Sequence, residues 1–522
     1  MENLEKKKLI IIGAGISGMT AGIYALDNGY DVTIYEKHFI PGGQCTGWNR
    51  KGAYIDGCAH WIVGTNPTSD FYPIWRHIGA FDSSTTIYDT QYFSKYDIDG
   101  HVITFYADLE KLEDELLRVA PEDKRQIKRF INGIKAYRFT NVPTKKPLDH
   151  MNIFELMVYG LSMLPMAFHF MYYKHKSVKG YSKKFKSEII RKLFKRIINE
   201  KYNIHSLVYI MKSLAANDAG MVEGGSRNLA FNVMKTFISK GGKVVYNSEI
   251  DHILIEDNKA TGIVLKDNSV INSDFVISSC DAHHTIYNLL EGKVYDKYFE
   301  ERFNNKKDYP LNAGLQVSYK LNKVLYNYPK MINFEITPYK LGELVIDNIT
   351  IRNHSFDNTL NKSIATLTIL IDSDDSVYEY LSSLSKKDYL NEKEKLGNHL
   401  LKEIKRYVNL SDSDIELIDV STPLTYERYT NAYHGSYMSF ITTKKSKGLM
   451  RKGLIKGLDN FAMAGQWIMS PGGLPIALFS GKFAVMRICK MDNKKFIDLD
   501  YQYSNHYNKN GLRVVLIQNV GF

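Results

Sequence analysis

The chain opens on a short apolar run, Lys8 to Ile12 (KLIII), that reads as a buried parallel strand. A glycine loop and a helical pattern from Ile16 to Asn28 follow. Gly29 sits where a helix-terminating glycine belongs. Val32 to Tyr35 then reads as a second strand, which completes a βαβ unit. From about residue 60 to 220 the rhythm changes: helical patterns rich in aromatic residues and methionine dominate. Within them Ile153 to Tyr173 (IFELMVYGLSMLPMAFHFMYY) is apolar nearly all round and long enough to span a bilayer. Glu155, Gly160, Pro165 and His169 interrupt it, so a buried or interfacial helix is expected instead. The α/β rhythm returns at Gly224, where helix, glycine stop and strand follow in turn. A hairpin with its turn at Lys266 to Ser269 and a buried strand ending at Cys280 come next. Short strands mix with a charged helix at Lys386 to Val408. Asn460 to Ala464 is a last strand and Pro475 to Lys490 a last helix.

These elements predict an α/β protein: a Rossmann-type nucleotide-binding domain (βαβ, mixed sheet) interleaved with a substrate domain that carries a helical, apolar insertion. The expected nucleotide domain is discontinuous, from 1–80, 220–290 and 455–492. The expected substrate domain takes 81–219 and 291–454, with membrane-facing helices at 151–201. Residues 493–522 form an unassigned tail.

Composition narrows the function classes. With 44% hydrophobic and 24% charged residues the chain is an ordinary globular one. Its four cysteines, Cys45, Cys58, Cys280 and Cys489, form neither a CxxC pair nor a zinc-type cluster. They read as reduced thiols, and no metal is expected. The net charge of +11 thickens between Lys174 and Lys201, directly after the apolar stretch. That placement suggests a membrane surface rather than nucleic acid. MENLEKKK runs straight into the first strand without an apolar leader. The expected location is cytoplasmic, peripheral on the inner face of the cell membrane.

Gly13-Ala14-Gly15-Ile16-Ser17-Gly18 is a GxGxxG between a strand and a helix, the context that gives this pattern meaning. Gly13 permits the turn, Gly15 lets backbone approach a pyrophosphate, and Gly18 lets the helix pack close. The helix start at Ile16 and Ser17 offers N–H groups to phosphates. Glu36, with Lys37 beside it, ends the second strand where a ribose-binding carboxylate belongs. An acid there favours FAD or NAD over NADP. Pro41-Gly42-Gly43-Gln44 adds a glycine pair just downstream.

With that pair the chain resembles the phytoene desaturase and retinol saturase family of flavoproteins, within the amine oxidase superfamily. GGSRNL at Gly224 to Leu229 and VISSCDAHHT at Val276 to Thr285 resemble family segments, as does TPLTYERYTNAYHGS at Thr422 to Ser436. NSEIDHI at Asn247 to Ile253 resembles the strand that contacts the adenine, with Ile250 at the contacting position. AGQWIMSPGGLPIALFSGKFA at Ala464 to Ala484 resembles the closing flavin segment, which implies roles for Gly465, Gln466, Gly473, Leu474 and Pro475. The resemblance covers nearly the whole chain but is weak from about 85 to 220 and 320 to 410. It implies FAD and hydride transfer at carbon–carbon bonds of a hydrophobic polyene, carotenoid, retinoid or fatty-acyl-like substrate. Desaturation, saturation and isomerisation all fit. Two departures stand out: Gln466 where many relatives are acidic, and Gln44 where several are basic.

No strong acid–base constellation is present. Glu427 and Arg428 are expected to form a salt bridge with each other, and His60 is a third catalytic candidate. An amine or amino-acid oxidase on the same fold, or a flavin-free lipid carrier of the GDP-dissociation-inhibitor type, are the alternatives. The substrate, acceptor and oligomeric state are not legible.

Overall fold

The computed structural model describes residues 5–504 apart from 59–60, 89, 139, 141, 295, 358, 361–363 and 449. A five-stranded sheet, all parallel, runs in the order Lys243–Val245, Asp31–Tyr35, Lys8–Ile12, Phe275–Ser278, Phe461–Met463. Its central strand is apolar on both faces because side chains alternate across a strand. Leu9 and Ile11 join the core under the helices, and Ile10 and Ile12 join the core on the other side. Helix Ile16–Asp27 packs against helix Leu474–Met491 closely enough that a Cβ at Gly481 would stand 2.4 Å from the Ser17 carbonyl oxygen. Any larger residue at Gly481 drives these helices apart, so the first and last elements of the nucleotide fold are locked together by a missing side chain.

An eight-stranded sheet lies beyond. Seven strands follow in the order Ile415–Ser421, Leu311–Leu321, Ala365–Ser373, Leu344–Asn353, Met331–Leu341, Tyr92–Ile98, His101–Tyr106, and Ser436–Phe440 also pairs with Leu311–Leu321. The last two of the seven lie in the stretch expected to be helical. They form a hairpin whose turn residues Asp99 and Gly100 have φ of 51° and 79°, the primed-turn geometry that an Asp-Gly pair favours. One face of this sheet is apolar: Val317, Ile332, Phe334, Ile351 and Ile369 pack on Leu396, Leu400 and Ile404 of helix Lys386–Val408. Burying each such side chain contributes about 1.5–3 kcal/mol.

The helical insertion has its own aromatic core, in which Phe130 meets Phe194 at 5.0 Å and Phe185 stacks on Phe194 at 4.9 Å. The single helix expected over Ile153 to Tyr173 is instead two, Ile153–Ser162 and Leu164–Tyr173, bent by 65°. Pro165 causes the break: its ring lacks an N–H and clashes with the preceding turn, so it is tolerated only at a helix start. A capping box between Asn152 and Glu155 fixes the start of the first helix. Nor is the pair buried, for Ile153 is 87% and Phe168 77% exposed. Among the described residues no single helix is long and apolar enough to cross a membrane.

Candidate functional site

The glycine loop leaves the central strand at Ile12, and the Gly13 N–H donates to the Tyr35 carbonyl at 2.8 Å. A Cβ on Gly18 would lie 2.1 Å from the Gly13 oxygen, so this glycine sets how tightly the helix follows the loop. Gly15 differs. A Cβ there would meet nothing of the protein nearer than the Gly42 oxygen at 4.0 Å. Its bare backbone faces the cleft, together with Ile16, Ser17, Gly42 and Gly43. The Gly42 N–H donates to Ala14 at 2.8 Å, and Gly15 and Gly42 form a bridge. The two glycine segments thus build one cradle with room for a diphosphate at the start of a helix, where N–H groups are unpaired.

Glu36 is 7% exposed at the end of its strand. One carboxylate oxygen accepts the Ala14 N–H at 2.7 Å and the other the His38 N–H at 2.8 Å. Burial raises its pKa, and these two N–H groups pull it back. Each oxygen keeps a second lone pair for a ribose hydroxyl. Ser248, whose N–H donates to the Glu36 carbonyl at 2.9 Å, carries the chain to Ile250, and both line the same cleft. Lys37 also lines the cleft, where its ammonium bonds the Asn431 side chain and the Arg428 carbonyl.

The closing segment enters from the last strand. Gly465, Gln466, Gly473, Leu474 and Pro475 all line the cleft, and Gly473 caps the helix that Leu474 begins. The two departures from the family pattern touch each other: Gln466 Nε2 donates to Gln44 Oε1 at 3.1 Å. Gln466 Oε1 accepts the Gly473 N–H at 3.3 Å, and Gln44 Nε2 donates to the Ser436 carbonyl at 2.7 Å. At two positions where an acid and a base are common in the family, this chain holds a neutral amide pair. The sequence shows the two departures separately and gives no sign that they meet.

From this cradle one cavity of about 2170 Å³ continues into the substrate region. Its helical wall is apolar and aromatic, with Tyr159, Met163, Met166 and Phe170 from the bent pair and Tyr209 and Ile210 behind. His205 belongs to that wall, and burial pulls its pKa down to about 4, so it is neutral at physiological pH. The opposite side is the second face of the eight-stranded sheet, and it is polar. Gln316, Asn333, Asn348, Thr350, Arg352 and Asp372 line the cavity. Strand register aligns Asn333 with Thr350 and Gln316 with Leu370. Burial brings Arg352 down to about 10, and Asp372, whose pKa burial raises, accepts the Tyr437 hydroxyl at 2.9 Å. No motif in the sequence marked these residues. Their grouping follows from register across strands distant in the chain, as for Gln316 and Ser421, which face each other.

At the seam between the two ends sits Asp281, which accepts N–H groups from His283 at 2.8 Å, His284 at 3.2 Å and Tyr433 at 3.2 Å. Burial nonetheless pushes its carboxyl up to about 6. The catalytic candidates fare differently. Glu427 and Arg428 do not pair: Glu427 accepts the Tyr378 hydroxyl at 2.6 Å, away from the cavity, while Arg428 lies over the Tyr429 ring at 4.7 Å and lines it. Successive residues on their helix, Pro423–Thr430, point about 100° apart and do not face each other. His60 lies outside the described residues. Among the described residues no cluster of His, Cys, Asp or Glu could hold a metal ion.

Residues 11–78 match the family model of an NAD(P)-binding Rossmann-like domain. A neurosporene-forming phytoene desaturase of Rhodobacter capsulatus is 28% identical over 58% of this chain and 57% of its own, so the match spans little more than half of that relative. A 4,4'-diapophytoene desaturase of Methylomonas is 23% identical over 94% of this chain and 97% of its own. Prolycopene isomerase 2 of an Oncidium hybrid cultivar is 26% identical, over 86% and 78%. In fold, the chain is similar to putrescine oxidase bound to putrescine, with a TM-score of 0.61 and 13% identity over 93% of this chain and 99% of that one. The fold and cradle define a Rossmann-type dinucleotide-binding protein. Along most of its length the chain is similar in sequence to diapophytoene desaturase and prolycopene isomerase, at 23–26% identity.

Proposed function

We propose that this protein binds FAD non-covalently and transfers hydride to or from carbon–carbon bonds of an apolar, polyene-like or lipid-like substrate. The observation that carries this reading is the single cavity that joins the glycine cradle to the apolar helical wall. The flavin, when bound, supplies a hydride acceptor or donor; desaturation, saturation and isomerisation share that step. Gly15, Gly42 and Gly43 would admit its diphosphate and Glu36 its ribose, with Ile250 against the adenine. Gln466 and Gly473 would hold the end nearest the reaction. Tyr159, Met163, Met166 and Phe170 bind and align the chain of the substrate and exclude water. The polar floor around Arg352 favours a substrate that carries a polar group on its apolar chain, because stripping water from that floor without replacing its hydrogen bonds is costly.

A visible spectrum of the purified protein tests the first step. A yellow protein that releases all its flavin on acid precipitation is expected, and a colourless one would favour a lipid carrier. Anaerobic incubation of the flavoprotein with candidate polyenes, followed by product mass spectrometry, tests the second. Bleaching by a soluble amine with no response to any polyene would favour the amine oxidase reading.

We also propose that the bent pair Ile153–Ser162 and Leu164–Tyr173 docks on one membrane leaflet at the inner, cytoplasmic face. Ile153, Phe154, Leu161, Leu164, Phe168 and Met171 are exposed on it, while Tyr159, Met163, Met166 and Phe170 line the cavity. One short element therefore faces both the surroundings and the substrate. The basic run contributes less than its composition suggests. Lys179, Arg191, Lys192, Arg196 and Lys201 pair with Glu200, Glu188, Asp99, Glu335 and Asp374. Binding driven by apolar area rather than charge is expected. Flotation with neutral vesicles should therefore succeed and change little with added salt; failure to float with any vesicle would make the pair a tunnel wall only.

A further inference from the structure

Two of the four cysteines are held opposite each other at the edge of the cofactor cradle. Strand Gly47–Arg50 runs antiparallel to Ala53–Asp56, with Gly47 opposite Asp56. The ladder continues one step beyond, since the Gly57 N–H donates to the Thr46 carbonyl at 3.0 Å. The return bond is absent, because the Thr46 N–H donates to the Gln44 carbonyl at 3.0 Å where the chain turns; by register the residues next in line are Cys45 and Cys58. Residues that face each other across an antiparallel pair have Cα atoms about 4.5–5.5 Å apart. That falls inside the roughly 4.4–6.8 Å over which a disulfide closes. Cys280 and Cys489 are elsewhere, against the Ile12 carbonyl at 3.6 Å and the Tyr30 hydroxyl at 3.9 Å. Both Cys45 and Cys58 line the cavity; Cys45 is buried with its thiol donating to the Ser226 carbonyl at 3.5 Å, and Cys58 is half-buried. The Cys58 thiol is the largest influence on that of Cys45, raising it, and burial adds to the effect.

We infer that Cys45 and Cys58 form a reversible redox pair, closing to a disulfide that pins the second glycine segment of the cradle to the neighbouring strand. The oxidant class is a low-molecular-weight disulfide. The more accessible Cys58, as thiolate, attacks one sulfur of it, forming a mixed disulfide and expelling one small thiolate. Cys45 then loses its proton and displaces the second small thiolate from Cys58. Two protein thiols are oxidised, and one small disulfide becomes two thiols. The closed bond shortens the reach of the loop whose Gly42 N–H holds Ala14 and whose Gly42 bridges Gly15. On the reading that this cradle holds a flavin, closure slows flavin release.

The bond is tested without flavin, and its coupling to the cradle by the rate of flavin release from the oxidised and the reduced flavoprotein. The full chain is incubated with excess oxidised glutathione, alkylated in denaturant and digested with trypsin without reduction. A linked species joining His38–Arg50 to Gly52–Arg76 is expected, and alkylation should fall from four thiols to two. Dithiothreitol should reverse both changes. Cys280→Ser should leave the link intact, and Cys58→Ser should abolish it. Recovery of the two peptides separately, alkylated or each carrying glutathione, overturns the pair, as does a link that survives Cys58→Ser. If the link forms but flavin release is unchanged, the pair stands and its coupling to the cradle falls.

Discussion

The two ends of the cavity are made of different material. At the cofactor end the surface is backbone: Gly13, Gly15, Gly42, Gly43 and Gly473 present peptide groups, and Glu36 spends its two oxygens on loop N–H groups. At the substrate end the surface is side chains, apolar ones from the helices and polar ones from the sheet. A backbone surface requires particular residues at fixed spacing, because any side chain fills the space the ligand needs. A side-chain surface can be built from many residues, provided register brings them together. The first should therefore fail abruptly on substitution and the second by degrees.

The largest effect is expected within the cofactor end itself. Gly18→Val places a Cβ 2.1 Å from the Gly13 oxygen, a clash that the loop cannot absorb. More than about 4 kcal/mol of stability should be lost, the range reserved for gross strain, and soluble folded protein should fall sharply. Gly15→Val has φ of −71° and 4.0 Å of clearance, so stability measured by urea titration should change by no more than about 1 kcal/mol. Its flavin content should nevertheless fall to near zero. Equal flavin content in the wild type and Gly15→Val would mean that the cradle at Gly15 does not hold the diphosphate.

At the substrate end, Arg352→Met removes the cation whose charge offsets those of Asp372 and Asp56 across the polar floor. Asp372 opens onto the cavity and is itself exposed, so losing its cation costs about 1 kcal/mol. The deficit should shrink as pH falls, because a carboxyl whose folded pKa is raised is less costly once protonated. Unfolding by urea at neutral and acidic pH measures both. An unchanged midpoint would mean that the floor is solvated rather than desolvated.

The seam gives an intermediate effect. Asp281, at about 6 in the folded chain, binds its proton more tightly there than when unfolded. Its contribution is fully favourable below the unfolded value of about 3.9 and is lost as pH rises through about 6. Asp281→Asn removes that dependence. Between pH 4 and 6.5 the mutant should gain on the wild type by up to roughly 3 kcal/mol, since each tenfold difference in proton affinity is worth about 1.4 kcal/mol. Parallel stability curves would place Asp281 in a solvated site.

The same difference in material explains what the sequence revealed. The glycine loop, the glycine pair and the closing segment were legible because backbone surfaces leave fixed-spacing signatures. The eight-stranded sheet was not, since its polar face alternates Gln, Asn, Thr, Arg and Asp without any motif, and its members are joined only by register. The Tyr92–Ile98 and His101–Tyr106 hairpin was hidden inside a helical stretch, although Asp99-Gly100 announced it. The bend at Pro165 was signalled too, and the exposure of the pair agrees with one of the two placements left open, interfacial rather than buried, between which apolar composition alone could not choose.

The smallest effect concerns the contact between Gln44 and Gln466, which lies where backbone and side-chain surfaces meet. Each amide is used twice: Gln466 donates to Gln44 and accepts from Gly473, and Gln44 accepts from Gln466 and donates to Ser436. A single amide–amide bond of this kind contributes about 0.5–1.5 kcal/mol net. Gln466→Glu keeps the acceptor for the Gly473 N–H but brings an oxygen against Gln44 Oε1, so Gln44 must turn over and give up Ser436. Stability should fall by about 1 kcal/mol. Adding Gln44→Arg supplies a donor to both the new carboxylate and the Ser436 carbonyl, and should recover most of that loss. The coupling energy from a double-mutant cycle on thermal unfolding should therefore be favourable for the Arg–Glu pair and at least as large as that for Gln–Gln. Additive losses in the two single mutants would show that the amides do not act as a pair. A flavin potential shifted by Gln466→Glu, and returned by the double mutant, would place this pair against the redox end of the cofactor rather than its diphosphate.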